Sequence, residues 1–345
     1  MIGIRSALDL LIETGAVFEI RAITDSGISS GYYDSLEKAE ADVLLLDADR
    51  TTTGIYVTLN AVNPDLLARR ANRIKIRLSK KDSTTADSDI IRRRWFPIDI
   101  DPVRPSGVSS SEEEHENALA KADIIKEYLS ELCWPDPICA DSGNGAHLLY
   151  RVDLPNEPEI RDLIKDALNT LSVLFTDSKC VVDTANFNAA RIWKLYGTVS
   201  RKGDNTPTRS HRRAAVTETP PEICAVTCDQ IRSLATLLPK DEPVKQTRRK
   251  SSQPIDLGTW LDTHGLSYEQ KPYADGTIFI LDECPFSTAH KDGAFAIQFS
   301  SGGIFAGCHH NSCGSGSQRW QELREIYEGR RMNHQKPSPG GDGAI

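Results

Sequence analysis

The stretch Arg92-Arg93-Arg94-Trp95-Phe96-Pro97-Ile98-Asp99-Ile100-Asp101-Pro102 constrains this chain more than any other. Residues 95–100 form an apolar run of β-formers and read as a buried strand. Strands alternate faces, so Asp99 and Asp101 point the same way. Two neighbouring carboxylates on a core strand repel each other and are costly to bury. A hard divalent cation such as Mg²⁺ or Mn²⁺, which takes oxygen ligands, removes that cost. Pro102 ends the strand. An isolated Asp-x-Asp fits two solvated acids at a strand end equally well, so the remaining chain has to decide.

Before this strand, residues 6–14 read as a short helix, and 16–23, 43–46 and 54–59 as strands. Asn63-Pro64-Asp65 caps a helix running to about residue 74. Arg69, Arg70, Arg73, Lys75, Arg77, Lys80 and Lys81 follow, and with Arg92, Arg93 and Arg94 they are expected to form a basic rim around an acidic pocket. The chain as a whole carries a net charge of −8. Indiscriminate binding to polyanions is therefore excluded, and any nucleic-acid contact must come from local patches of this kind. After the strand, residues 109–111 cap a helix whose first turn holds Glu112, Glu113 and Glu114, a placement that suits the helix dipole. His115 beside them is expected to be exposed. Leu119, Ile124, Ile125, Tyr128 and Leu132 supply the core-facing stripe.

Residues 138–152 read as strand, Gly-rich turn, strand. Gly143 and Gly145 allow close backbone approach to a ligand, and His147 stands at the start of the second strand. Residues 160–174 form a helix with a strong apolar stripe, and 180–184 a short strand ending in Asp183. Arg191 and Lys194 follow closely, and Arg201, Lys202, Arg209, Arg212 and Arg213 extend the basic character. Residues 238–253 shift to Lys, Asp, Pro, Arg and Ser, a linker composition. The resulting division is 1–237, a linker 238–256, a small domain 257–331 and a disordered tail 332–345. Among 345 residues, 39% are hydrophobic and 7% aromatic, enough for packed cores. Arg5, Asp9 and Glu13 interrupt the N-terminal apolar residues, so no signal peptide or membrane span is expected.

The small domain has its own signature. Cys284-Pro-Phe-Ser-Thr-Ala-His290 and Cys308-His309-His310-Asn311-Ser312-Cys313 flank two apolar strand-like runs. Two Cys/His knuckles around a hairpin suit a structural, tetrahedral Zn²⁺. The expected ligands are Cys284, His290, Cys308 and Cys313, with His310 as the alternative to His290. The other cysteines, Cys133, Cys139, Cys180, Cys224 and Cys228, are expected to be packed thiols. Scattered cysteines in a chain of this length suit a reducing cytoplasm.

Three features now stand in order: Asp99-x-Asp101, the Gly-turn His147, and strand-end Asp183 with Arg191 after it. Over about residues 54–213 this order resembles the archaeo-eukaryotic primase superfamily, in particular the primase-polymerases of plasmids, phages and other mobile elements. The family's acid-x-acid motif matches Asp99 and Asp101. Its small-x-His motif matches Gly145-Ala146-His147 within Ser142-Gly-Asn-Gly, and its apolar-acid motif matches Val182-Asp183. Gly145 stands where the family often has Ser. The resemblance implies an α+β fold with an RRM-like half beside an αβ half, followed here by the small zinc-stabilised α/β domain. It implies template-directed transfer from NTP or dNTP on single-stranded DNA by a two-metal mechanism. Asp99, Asp101 and Asp183 would hold Mg²⁺ or Mn²⁺. Ser142, Gly145, His147, Arg191, Lys194 and Lys202 would hold the nucleotide. The zinc segment is similar to one found between primase and helicase in relatives, so a helicase partner is expected. The rival expectations are a non-catalytic zinc-containing single-strand-binding replication protein and an end-joining repair polymerase. A rolling-circle endonuclease would need His-apolar-His, which His309-His310 lacks.

Overall fold

The computed structural model describes residues 3–240, 255–314 and 316–329. The chain divides into two compact units, Met1–Leu238 and Pro239–Ile345. Most of the expected linker and all of the expected tail lie outside the described residues.

The first unit begins with α1 (Ile4–Leu11), the hairpin β1 (Phe18–Thr24) and β2 (Gly27–Tyr33), then α2 (Leu36–Ala48), β3 (Thr52–Thr58) and β4 (Ala61–Val62). The long β5 (Ile90–Pro102) leads to α3 (Glu112–Glu131), β6 (Ile138–Asp141), β7 (Ala146–Pro155), α4 (Pro158–Phe175) and β8 (Cys180–Val182). The short strands β9 (Ile192–Lys194), β10 (Val199–Ser200), β11 (Arg212–Arg213) and β12 (Ala215–Glu218) and helix α5 (Cys228–Ala235) complete it. One sheet runs β2-β1-β3-β9. A second runs β12-β6-β7-β5-β4, with β8 also paired to β5, and β10 pairs with β11 alone. The run β5-α3-β6-β7-α4-β8 is a β-α-β-β-α-β unit with sheet order β6-β7-β5-β8, every neighbouring pair antiparallel.

Strand β5 fixes both faces of that unit. Phe96, Ile98 and Ile100 pack with Leu148 and Tyr150 of β7 against α3, α4 and α5. On the opposite face Trp95, with Ile138, Ala140 and Leu149, joins the core of the first sheet and its helices. Asp99 and Asp101 occupy that same second face further along, where both are half-buried.

Several local expectations change. Residues 43–46 belong to α2, not to a strand. A four-residue apolar run does not distinguish the two by periodicity. The helix buries Val43 and Leu46 and leaves Leu44 and Leu45 exposed, and Ser35 caps it by accepting from the Lys38 N–H. The helix after Asn63 is a short 3-10 helix, Pro64–Arg69, because Arg70 turns inward to donate to Ser30 and to the Ser83 carbonyl. The buried stripe of α3 is His115, Ala118, Ala122, Ile125, Tyr128 and Leu129, whereas Ile124 is exposed. Alanines carry much of that face, and a search for large apolar residues misses them. Cys133 and Cys224 are exposed rather than packed.

The turn between β6 and β7 explains Gly145. A Cβ there would collide with the carbonyl oxygen of Ile100 on β5. The close approach that this glycine permits is therefore to the protein's own strand. We expect Gly145→Ser to lose about 1–3 kcal/mol of stability, the usual cost of overpacking. Urea denaturation measures it, and an unchanged midpoint would contradict the placement of the turn.

Candidate active site and metal centre

Strand pairing assembles the first site. Asp99 lies opposite His147 in the β5–β7 register. On the other side of β5, Ile100 lies opposite Val182, and the Asp183 N–H donates to the Asp99 carbonyl at 2.9 Å. Asp183, Asp99 and His147 thus sit side by side across three strands, with Asp101 two residues along on the same face. Each acid meets a cationic or ionisable neighbour. His147 Nε2 lies 3.4 Å from Asp99 Oδ1, Arg104 Nη1 3.2 Å from Asp101 Oδ1, and Arg191 Nη2 3.1 Å from Asp183 Oδ2.

Asp99 and Asp101 line a cavity of about 290 Å³, together with Ser142, His147, Arg191, Lys194 and Lys202. Tyr56 also lines it, and burial together with the charges of Asp99 and Asp101 raises its pKa. Trp193 is buried and its ring lies against His147, centroids 4.0 Å apart. Lys194 is nearly enclosed. Its Nζ donates to Thr198 Oγ1 at 2.9 Å and to the Val199 carbonyl at 3.0 Å. Burial pushes its pKa down to about 7, against the pull of Asp47.

Two expected nucleotide contacts, Ser142 and Gly145, also serve the scaffold. Ser142 Oγ accepts from the Gly145 N–H, and Gly145 itself faces β5. The Asp183 carboxylate also caps the turn that follows it, accepting from the Ala185 N–H at 2.8 Å. The expected rim of Arg92, Arg93 and Arg94 lies elsewhere. Arg92 and Arg94 pair with Asp153, Arg94 also pairs with Glu13, and Arg93 is buried against the Phe187 carbonyl. They stand five to seven residues back along β5 from Asp99, about 17–23 Å at strand rise.

Other parts of the site escaped the sequence reading. His115 is buried, not exposed. Its Nε2 lies 2.9 Å from Asp141 Oδ1, which also accepts from the Gly143 N–H at 2.6 Å. Asn144 accepts from the Ser110 N–H, and Ser200 Oγ donates to the Ser142 carbonyl. The glycine turn is therefore pinned from three directions. The only signal for His115 was its position, three residues before Ala118 on the buried face of α3.

The donor set suits a hard divalent cation in part. Asp99 and Asp101 offer carboxylate oxygens to one open cavity. Asp183 is already committed to Arg191 and to its cap, and the three carboxylates do not gather as tightly as the cysteine and histidine ligands described next.

The second unit is an antiparallel meander, β13 (Tyr268–Tyr273), β14 (Gly276–Leu281), β15 (Ala294–Gln298) and β16 (Ile304–Cys308), between α6 (Leu257–Thr263) and α7 (Trp320–Glu328). The ligand atoms of Cys284, His290, Cys308 and Cys313 all lie within 4.8 Å of one another. Cys284 Sγ and Cys313 Sγ are 3.9 Å apart, and His290 Nε2 is 3.4 Å from both Cys308 Sγ and Cys313 Sγ. Tetrahedral zinc with its usual bond lengths gives edges of about 3.8 Å for S···S and about 3.6 Å for S···N. A disulfide would bring two sulfurs to about 2.05 Å. These four residues can hold a metal ion such as zinc. His310 does not join them. Its Nε2 lies 3.1 Å from Asp292 Oδ1, and its ring lies against that of His290.

No family model, curated protein or solved structure matches this chain. Both sites therefore rest on their own geometry.

The three cysteines are buried within the second unit's core, beside Leu257, Phe279, Leu281 and Leu323. A core this small would draw much of its stability from a metal bound there. Elemental analysis should find one zinc per chain. Cys308→Ser/Cys313→Ser should lose it and become protease-sensitive beyond about residue 255, with the first unit still resistant. Equal resistance without zinc would exclude a structural metal.

Proposed function

We propose that the chain is a primase-polymerase that joins nucleoside triphosphates, ribo- or deoxyribo-, on single-stranded DNA. The observation that carries this reading is one cavity with two acids, Asp99 and Asp101, and three basic side chains, Arg191, Lys194 and Lys202. A magnesium or manganese nucleotide complex needs that combination: oxygen ligands for the cation and positive charge for the triphosphate. The order of acids and histidine resembles the archaeo-eukaryotic primases. On this reading the β-α-β-β-α-β unit is the RRM-like half, and the β2-β1-β3-β9 sheet with α1 and α2 is the αβ half.

In the proposed reaction a 3′-hydroxyl attacks the α-phosphate in line and pyrophosphate leaves. Asp99 and Asp101 would hold divalent cations, which would supply charge stabilisation to the reacting oxygens. Asp183 keeps Arg191 at the cavity edge. Lys194, fixed by Thr198 and Val199, offers an amine that needs no ordering on binding and that a bound triphosphate would hold protonated. His147 contacts the incoming triphosphate from the floor of the cavity. The template's phosphates follow Arg73, Arg77, Lys80 and Lys81, all exposed on a segment that pairs with the edge of β2. That sheet also supplies Tyr56 and Lys194 to the cavity. Binding along it weakens as salt rises. A replicative helicase is the partner this activity calls for.

Gel-resolved synthesis on single-stranded DNA, with and without a primer, tests the reading. Asp101→Ala should reduce nucleotide incorporation at least about a hundredfold, with an unchanged fold. Undiminished synthesis by that variant, or none by the wild-type protein under either condition, would refute it.

A further inference from the structure

The residue behind His147 determines what the histidine can do. Tyr196 follows β9 and is completely buried. Its Oη lies 2.8 Å from Trp193 Nε1 and 3.0 Å from His147 Nδ1. An indole N–H only donates, so the tyrosine oxygen accepts from Trp193. The hydroxyl proton of Tyr196 then needs an acceptor of its own. Among the described residues, the partner that can accept it is His147 Nδ1. Leaving that proton unpaired in a dry core would cost a full desolvation penalty. A nitrogen that accepts carries no proton, so in the neutral ring the proton sits on Nε2.

We propose that Tyr196 is a positioning residue that locks His147 in its Nε2–H tautomer, so that the histidine presents a hydrogen-bond donor to the cavity even when uncharged. Three further observations agree. His147 Nε2 lies toward Asp99 Oδ1, an atom that can only accept while ionised. The Trp193 ring covers one face of the imidazole, which opposes a ring flip. Burial raises the pKa of Tyr196, so its hydroxyl keeps its proton. A neutral donor aimed at the cavity suits an anionic ligand such as a phosphate oxygen, because it binds without adding a charge that must be desolvated. This functional consequence rests on the nucleotidyl-transfer reading. The tautomer itself does not.

Long-range proton–nitrogen correlation spectra of ¹⁵N-histidine-labelled full-length protein, recorded near pH 8.5, read the tautomer directly. His147→Gln assigns the signal. The wild-type protein should show a pyrrole-type Nε2 and a pyridine-type Nδ1 at His147. Tyr196→Phe, which preserves the ring, should shift that pattern toward the other tautomer. It should also raise the KM for nucleotide about tenfold with kcat nearly unchanged, the value of one lost hydrogen bond to a charged group. A wild-type Nδ1–H signature, or an unaltered pattern in Tyr196→Phe, would overturn the proposal. The wild-type spectrum decides even if the variant folds poorly. The predicted tautomer shift in a protein that makes no nucleotide product would uphold the role of Tyr196 and refute the polymerase reading instead.

Discussion

The structure of the first unit depends on one thirteen-residue strand, β5, having two different faces. From Phe96 to Ile100 one face is apolar and anchors α3, α4 and α5. The other begins with Trp95 in the second core and ends with Asp99 and Asp101 in an open cavity. Side-chain alternation lets a single strand serve core and site at once. The same pairing that buries Ile98 and Ile100 sets His147 and Asp183 on either side of Asp99. A one-residue slip would put the acids into the helix-packed core, where their desolvation would be prohibitive. The register is thus held by hydrophobic burial, and the site geometry is a consequence of it.

Around this strand, the site is stiffened by hydrogen-bonded polar groups. Asp141, braced by His115, holds the glycine turn. Trp193 and Tyr196 hold His147 from behind. Burial lowers the pKa of Lys194 to about 7 against the pull of Asp47, and its amine is tied to the Thr198–Val199 turn. Such preorganisation lets electrostatics act without reorganisation when a ligand arrives. In the second unit, four side chains that can hold a metal ion gather beside the core of a small meander.

Period and spacing made part of this legible in the sequence. The alternation of Phe96, Ile98 and Ile100 with Asp99 and Asp101 shows the two faces of β5. Glycine spacing shows the β6–β7 hairpin, and the two Cys/His knuckles show the metal cluster. What escaped depends on partners far away in sequence. The run 43–46 is helical because Val43 and Leu46 face a core formed by β1 and β3. His115 is buried because Asp141, on another element, offers it an acceptor. Arg92 and Arg94 are bound by Asp153 and Glu13, so they add nothing to the cavity. Tyr196 carried no motif at all, and its role appears only when the hydrogen-bond donors and acceptors around His147 are counted.

The claim on which the functional account turns is that Asp99 and Asp101 bring a divalent cation and a triphosphate into one cavity. Calorimetric titration of the wild-type protein with a non-hydrolysable nucleoside triphosphate, with and without Mn²⁺, tests it most directly, beside Asp99→Asn/Asp101→Asn. The account predicts binding that requires Mn²⁺ and is lost in the variant while the fold persists. Binding indifferent to both the metal and the two acids would contradict it.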